Sequence, residues 1–204
     1  TMGHRMNKAR PMILMEHGVG ITFRHPGYAG GKGLREKIAL LLAPNEYIQA
    51  KSATTLPDIT QAVIGTPKLD GWAIPRLIKE KDKPVVCISF HWPGKIAPEG
   101  GNALKHYQKI LPDLAKSPNF TLIGHGHPRY IDELERIYTR AGIETVRDFD
   151  KVMRDADVLV NDCSSILYEF CVTGKPVVIL DAPWFRKHIS FGIRFWHYTN
   201  MGPM

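Results

Sequence analysis

The stretch that most restricts this chain is residues 157–181, DVLVNDCSSILYEFCVTGKPVVILD, where a strand, a polar turn, a helix and a second strand follow one another without spare residues. Val158-Leu159-Val160 is a short apolar run and Asn161 to Ser165 a polar turn. Ile166 to Val172 has helical character, and Gly174-Lys175-Pro176 stops it before Val177 to Leu180. The result is a βαβ unit. Such a unit puts its turn at the carboxyl end of the first strand, where open α/β sheets bind ligands. Two roles fit this turn. The hydroxyls and amides of Ser164 and Ser165 suit a diphosphate, with Glu169 one turn on as acceptor for a ribose diol. Asp162 and the two serines equally suit simple helix capping.

The same alternation runs through the rest of the chain. Strands are expected at Met12 to Met15, Ile38 to Ala43, 61–66, Pro84 to Phe90, Phe120 to Ile123 and 143–146. Helices are expected from Pro44-Asn45-Glu46 to about Ser52, and over 102–115, 131–141 and 150–155. The segment 24–33, RHPGYAGGKG, is too rich in glycine for a regular element and reads as a lid or acceptor-binding loop. Pro67 to Asp70 reads as a linker between two sheets. Strands alternating with helices predict an α/β protein with a doubly wound, mostly parallel sheet.

With 204 residues, 44% of them hydrophobic, the chain can bury a substantial core. No run of about 18 apolar residues suggests a membrane span, and Met12 to Met15 is too short for a secretory core. Cys87, Cys163 and Cys171 are an odd number without CxxC spacing, which argues against a disulfide framework or a zinc site and fits a reducing cytoplasm. The formal charge of +7 and pI near 9.3 suit anionic partners, whether phosphorylated substrates, nucleic acid or a membrane surface. The basic residues are nevertheless scattered, without the run of a nucleic-acid arm.

Chemically active residue types gather at strand ends: His17, His91, His125 and His127 with Arg129, and Asp162 with its serines. That is the side on which doubly wound sheets build sites. His125-x-His127 lacks a third and fourth ligand, so no metal site is expected. No GxSxG elbow surrounds Ser164, so covalent serine chemistry is not expected. Phosphate handling needs no missing part: Arg129 suits a bidentate pair and His127 can donate to a phosphate oxygen. Trp92, Trp184 and Trp196 read as core or interface residues, with Trp92 alone on a strand-end loop where a base could lie against it.

On these residues the chain resembles GT-B-type transferases, most closely the CDP-glycerol glycerophosphotransferases that polymerise teichoic acid. The resemblance runs from about residue 12 to 181, and more faintly to Pro203. It is carried by EHG at 16–18, VIGTPKLD at 63–70, GHGHPR at 124–129, and ADVLVNDCSSILYEF followed by GKPVVILD. It implies that His17 deprotonates the acceptor hydroxyl and that His127, Arg129, Ser164 and Ser165 bind the donor phosphates, with Glu169 on the ribose. The expected set is thus His17 and His127 as catalytic residues, and Gly18, His91, Arg129, Asp162, Ser164, Ser165 and Glu169 around the donor, with no metal and no cofactor beyond the donor itself. The family's pattern differs at three places. It usually has an aromatic residue at Cys163, aspartate at Glu169, and threonine-tryptophan where His91-Trp92-Pro93 stands.

The resemblance further implies residues 1–66 as the end of an acceptor-side Rossmann-like domain and 67–204 as the nucleotide-donor domain. The partners expected are a CDP-glycerol or NDP-sugar donor and a hydroxyl acceptor: a polyol phosphate, a glycan or nucleic acid. A cytoplasmic protein is expected, with association at the inner membrane face and either self-association or a partner completing the N-terminal half. The other readings are a UDP-N-acetylglucosamine epimerase-like enzyme and a nucleotide-binding domain without turnover.

Overall fold

The computed structural model describes residues 11–15, 37–54, 56–72, 82–93 and 102–183. The chain divides into two compact units, Thr1–Asp70 and Gly71–Met204.

In the first unit, β1 (Met12–Met15), β2 (Ile38–Ala43) and β3 (Thr60–Val63) form a parallel sheet in the order β1-β2-β3. Helix α1 (Glu46–Ala53) connects the last two. Asn45 caps it, its side-chain oxygen accepting from Ile48 N at 2.8 Å, which supplies a partner to a helix-start amide that would otherwise have none. Ile48 is buried beside Ala43. The expected strand 61–66 stops at Val63 because Gly65 turns the chain with φ 74°, a conformation that favours glycine. Pro67–Trp72, where the two units divide, is a 3₁₀ helix.

The second unit carries a five-stranded, wholly parallel sheet. Its strands are β4 (Val85–Phe90), β5 (Thr121–Gly126), β6 (Glu144–Thr145), β7 (Val158–Asn161) and β8 (Val177–Ile179), in the order β6-β5-β4-β7-β8. The chain builds outward from β4 to one edge, then returns across it to build the other. The reversal between β4 and β7 is the topological switch point, where the two neighbouring connections diverge and open a crevice beyond the strand ends.

The connections are α2 (Leu104–Tyr107), α3 (Leu111–Ala115), α4 (Ile131–Ala141), α5 (Phe149–Asp155) and α6 (Ile166–Cys171). The single helix expected over 102–115 is broken by a 3₁₀ turn at Gln108–Ile110. Pro112 has no N–H for a continuous ladder and sits instead at the start of α3. Helix α4 has the bounds its periodicity predicts. Ile131, Leu134 and Tyr138 line its buried face, and Gly142 ends it at φ 77°.

Side-chain alternation assigns the helices to faces. Gly124 and Gly126 face α4, where an added Cβ would strike the ring of Tyr138 and the tip of Leu134. Ile88, Phe90, Leu104, Leu111, Leu134 and Tyr138 join in the main core. His125, one residue out of phase with the glycines, meets Phe149 of α5 at 5.4 Å on the opposite face. Right-handed crossovers then put α6 on the α5 side. Behind the sheet, the Lys175 ammonium donates to the carbonyls of Met153, Arg154 and Ala156 at 2.9, 3.0 and 2.6 Å, satisfying the carboxyl end of α5.

Candidate functional site

Three strand exits meet at the switch point. From β4 come His91 and Trp92, from β5 His127 and Arg129, and from β7 the turn Asn161 to Ser165. Because the strands are parallel, all three exits lie on one edge of the sheet.

The β5 exit departs from expectation. A strand ending at Ile123 would leave Gly124, His125 and Gly126 in a loop, but β5 runs on to Gly126, paired with Phe90. His125 is therefore a sheet residue, and its Nδ1 donates to Val146 O at 2.7 Å. Burial, the main cause, lowers its pKa, against the Val146 hydrogen bond and the charge of Asp148. His125 serves the fold. His127, two residues on, is past the strand. The Arg129 amide donates to His127 Nδ1 at 3.1 Å, so a neutral ring carries its proton on Nε2.

His127 belongs to a ring cluster. Its centroid lies 5.6 Å from that of His91 and 5.7 Å from that of Trp92, and the Arg129 guanidinium stands over the Trp92 ring at 5.1 Å. A cation over an indole face is attracted by the ring quadrupole. His91 Nδ1 donates to Trp92 O at 2.9 Å, setting its ring against its own loop. An exposed arginine and two imidazoles around an indole make an anion-receptive, aromatic patch.

The β7 exit is polar and buried. Asn161, expected in the turn, is the last residue of β7 and fully buried. Its amide group donates to Ser89 O at 3.2 Å while its oxygen accepts from Ser164 N at 3.1 Å, joining β4 to the turn. Asp162 is fully buried too. Its Oδ1 accepts from His91 N at 2.9 Å and Cys163 N at 2.6 Å, and its Oδ2 from Ala103 N at 2.9 Å. Burial pushes its pKa up to about 6, against the pull of those amides. Its carboxylate is enclosed and turned onto main-chain amides.

Capping of α6 by the serines is corrected here. Ser165 occupies the N-cap position without a side-chain capping bond. Ser164 is buried and Ser165 half-buried, and the Ser164 amide is already held by Asn161. Glu169 is buried in the first turn of α6. His17, Gly18, the 24–33 loop, Trp184 and Trp196 lie outside the described residues, so His91, His127, Arg129, Asp162, Ser164, Ser165 and Glu169 are the expected site residues given a place here.

Asn161 and Asn102 are the residues that sequence reasoning passes over. Asn102 Nδ2 donates to His91 O at 2.7 Å. The one available signal was the polar Asn161 directly after an apolar strand, in a position where a buried amide can serve two neighbours. Among the described residues, no cluster of three or more His, Cys, Asp or Glu is arranged to hold a metal ion, and no helix is long and apolar enough to cross a membrane.

A five-stranded parallel sheet with its polar groups at the switch point defines a Rossmann-like unit, in the layering of GT-B proteins. Residues 106–188, which include the β5 and β7 exits, match the family of CDP-Glycerol:Poly(glycerophosphate) glycerophosphotransferases. The fold is similar to that of the wall teichoic acid polymerase TagF, with a TM-score of 0.58 and 14% identity over 97% of this chain and 56% of that one. A TagF variant soaked with CDPG aligns with a TM-score of 0.50 and 13% identity, over 84% of this chain and 48% of that one. The chain thus spans about half the length of these structures. No curated protein matches its sequence closely enough to count as a relative.

Proposed function

We propose that residues 67–204 are the donor-binding part of a transferase that uses a nucleotide-activated donor, CDP-glycerol or an NDP-sugar, and a hydroxyl acceptor, without a metal ion. The observation that carries this reading is the ring and guanidinium cluster of His91, Trp92, His127 and Arg129 at the switch point, where the family-matched β5 and β7 exits meet β4.

In transfer of glycerol phosphate, the acceptor oxygen bonds to the glycerol-bearing phosphorus as the pyrophosphate P–O bond breaks. CMP leaves with the electron pair. Negative charge builds on the leaving phosphate, and donors already aimed there stabilise it without reorganising. His127 Nε2–H, the Arg129 guanidinium and the Ser164 and Ser165 hydroxyls are those donors. Helix α6 has only six residues, so its dipole adds little beside them. Glu169 accepts from the ribose diol, and Trp92 offers an apolar face next to the phosphate donors. His17 takes the acceptor proton, a role suited to an imidazole near neutral pH.

Isothermal titration of the folded protein with CDP-glycerol, CDP, UDP and UDP-sugars tests the reading. Binding of at least one nucleotide, weakened about tenfold by Arg129→Ala through loss of a charge-assisted pair, is expected. No binding of any of the four would refute it.

A further inference from the structure

His91, directly after β4, and Ala103, directly before α2, donate their amides to the same side chain, Asp162, at 2.9 Å each. Both precede the residues matched to the family. A second tie joins the same two places, from Asn102 Nδ2 to His91 O at 2.7 Å. One buried carboxylate thus grips the exit of β4, the approach to α2 and, through the Cys163 amide, the turn after β7.

The chemistry of the position is specific to a carboxylate. Three N–H groups converge on it, and both oxygens must accept. Asparagine has nearly the same shape but one acceptor oxygen, so its NH2 would face either the Ala103 amide or the other two. A buried donor facing a donor loses a hydrogen bond and leaves both groups desolvated. No apolar residue serves either, since three main-chain donors would be left without partners. The first residues beyond this grip are the ring of His91 and then Trp92, which lie against His127 and beside Arg129.

We infer that Asp162, assisted by Asn102, is a positioning residue: it holds the main chain at the exit of β4 so that His91 and Trp92 stay packed against His127 and Arg129. It acts through the main chain and touches no ligand. The effect on donor affinity rests on the proposed function, whereas the positioning itself is testable without any ligand.

The experiment compares the full chain with Asp162→Asn and Asn102→Ala by NMR, following the amides of His91, Ala103 and Cys163, the Trp92 indole N–H and the His127 ring, and then by titration with CDP. In Asp162→Asn the three amides should move upfield on losing a charged acceptor. In both variants the Trp92 and His127 signals should shift, and CDP should bind about fivefold more weakly, the factor that accompanies one lost hydrogen bond. Trp92 and His127 signals unchanged in a folded variant would overturn the inference. Should Asp162→Asn fail to fold, Asn102→Ala decides it alone, because it removes one tie and leaves the carboxylate. A parent protein that ignores CDP would sink the donor reading, and the ring signals would still decide the positioning.

Discussion

The strands on either side of β4 leave the sheet in opposite ways. At the β5 exit the main chain is shaped by absent atoms: Gly124 and Gly126 let α4 lie close to the strand, and the polar side chains of His127 and Arg129 remain outside. At the β7 exit polar side chains shape the main chain: Asn161 and Asp162 turn inward onto main-chain groups, and both are fully buried. The same edge of one sheet therefore carries polar residues turned inward, which shape the main chain, and polar residues on its outer side. What separates them is burial: Asn161 and Asp162 are enclosed, whereas Arg129 is exposed and His127 half-buried.

The largest expected effect tests the building role at β7. Asp162→Ala leaves the amides of His91, Ala103 and Cys163 without their acceptor and should cost about 3 kcal/mol or more in urea unfolding. The pH dependence of the wild type sharpens the point. With its pKa pushed up to about 6 from 3.8, the carboxyl holds its proton more tightly folded than unfolded. Its contribution to stability is then greatest at low pH and declines as pH rises through about 6, by an amount on the order of 3 kcal/mol. Asp162→Asn lacks this titration, so the stability of wild type relative to that variant should fall between about pH 4 and pH 7. A difference that stays level across that range would show that the three amides offset burial in setting the carboxyl's hold on its proton.

A smaller loss tests the absent atoms at β5. In Gly124→Ala the new methyl meets the ring of Tyr138, which is fully buried and donates its hydroxyl to His125 O at 2.9 Å. Overpacking of this kind should cost about 2–3 kcal/mol, read as a lowered thermal midpoint. An unchanged midpoint would mean that α4 can move away from the strand.

The smallest change in stability and the clearest split in function belong to the two histidines. His125→Phe removes the donor to Val146 O and should lower stability by about 1–2 kcal/mol while CDP affinity holds. His127→Ala should leave stability within about 0.5 kcal/mol and weaken CDP binding about tenfold. Titration calorimetry on both, with unfolding curves in parallel, would break the comparison if the two effects were exchanged.

Much of the layering was legible because it depends on local pattern. The apolar runs of β1, β2 and β4 and the amphipathic spacing of α4 need no information from distant parts of the chain. The exits were less so. Nothing local in Gly124-His125-Gly126 says that the strand continues, because the reason is Phe90, a pairing partner 36 positions away in the register. Likewise, His125 and His127 are indistinguishable as letters, and only the strand's end between them sends one inward. The polar cluster after β7 is legible as a turn at the carboxyl end of a strand, beginning one residue later than expected, whereas the inward use of Asp162 depends on His91 and Ala103, whose arrival no spacing announces. The break in the 102–115 helix is readable in Pro112, although the apolar period runs through it.

Lys175 carries a lesson for the basic balance of the chain. Its ammonium is aimed at three carbonyls at the end of α5, so this cation neutralises the protein's own dipole instead of facing solvent anions. A surplus counted from letters therefore overstates the positive field that an approaching polyanion meets. Acetylating this one amine would alter how two chain segments are fastened behind the sheet more than it would alter attraction for a distant partner.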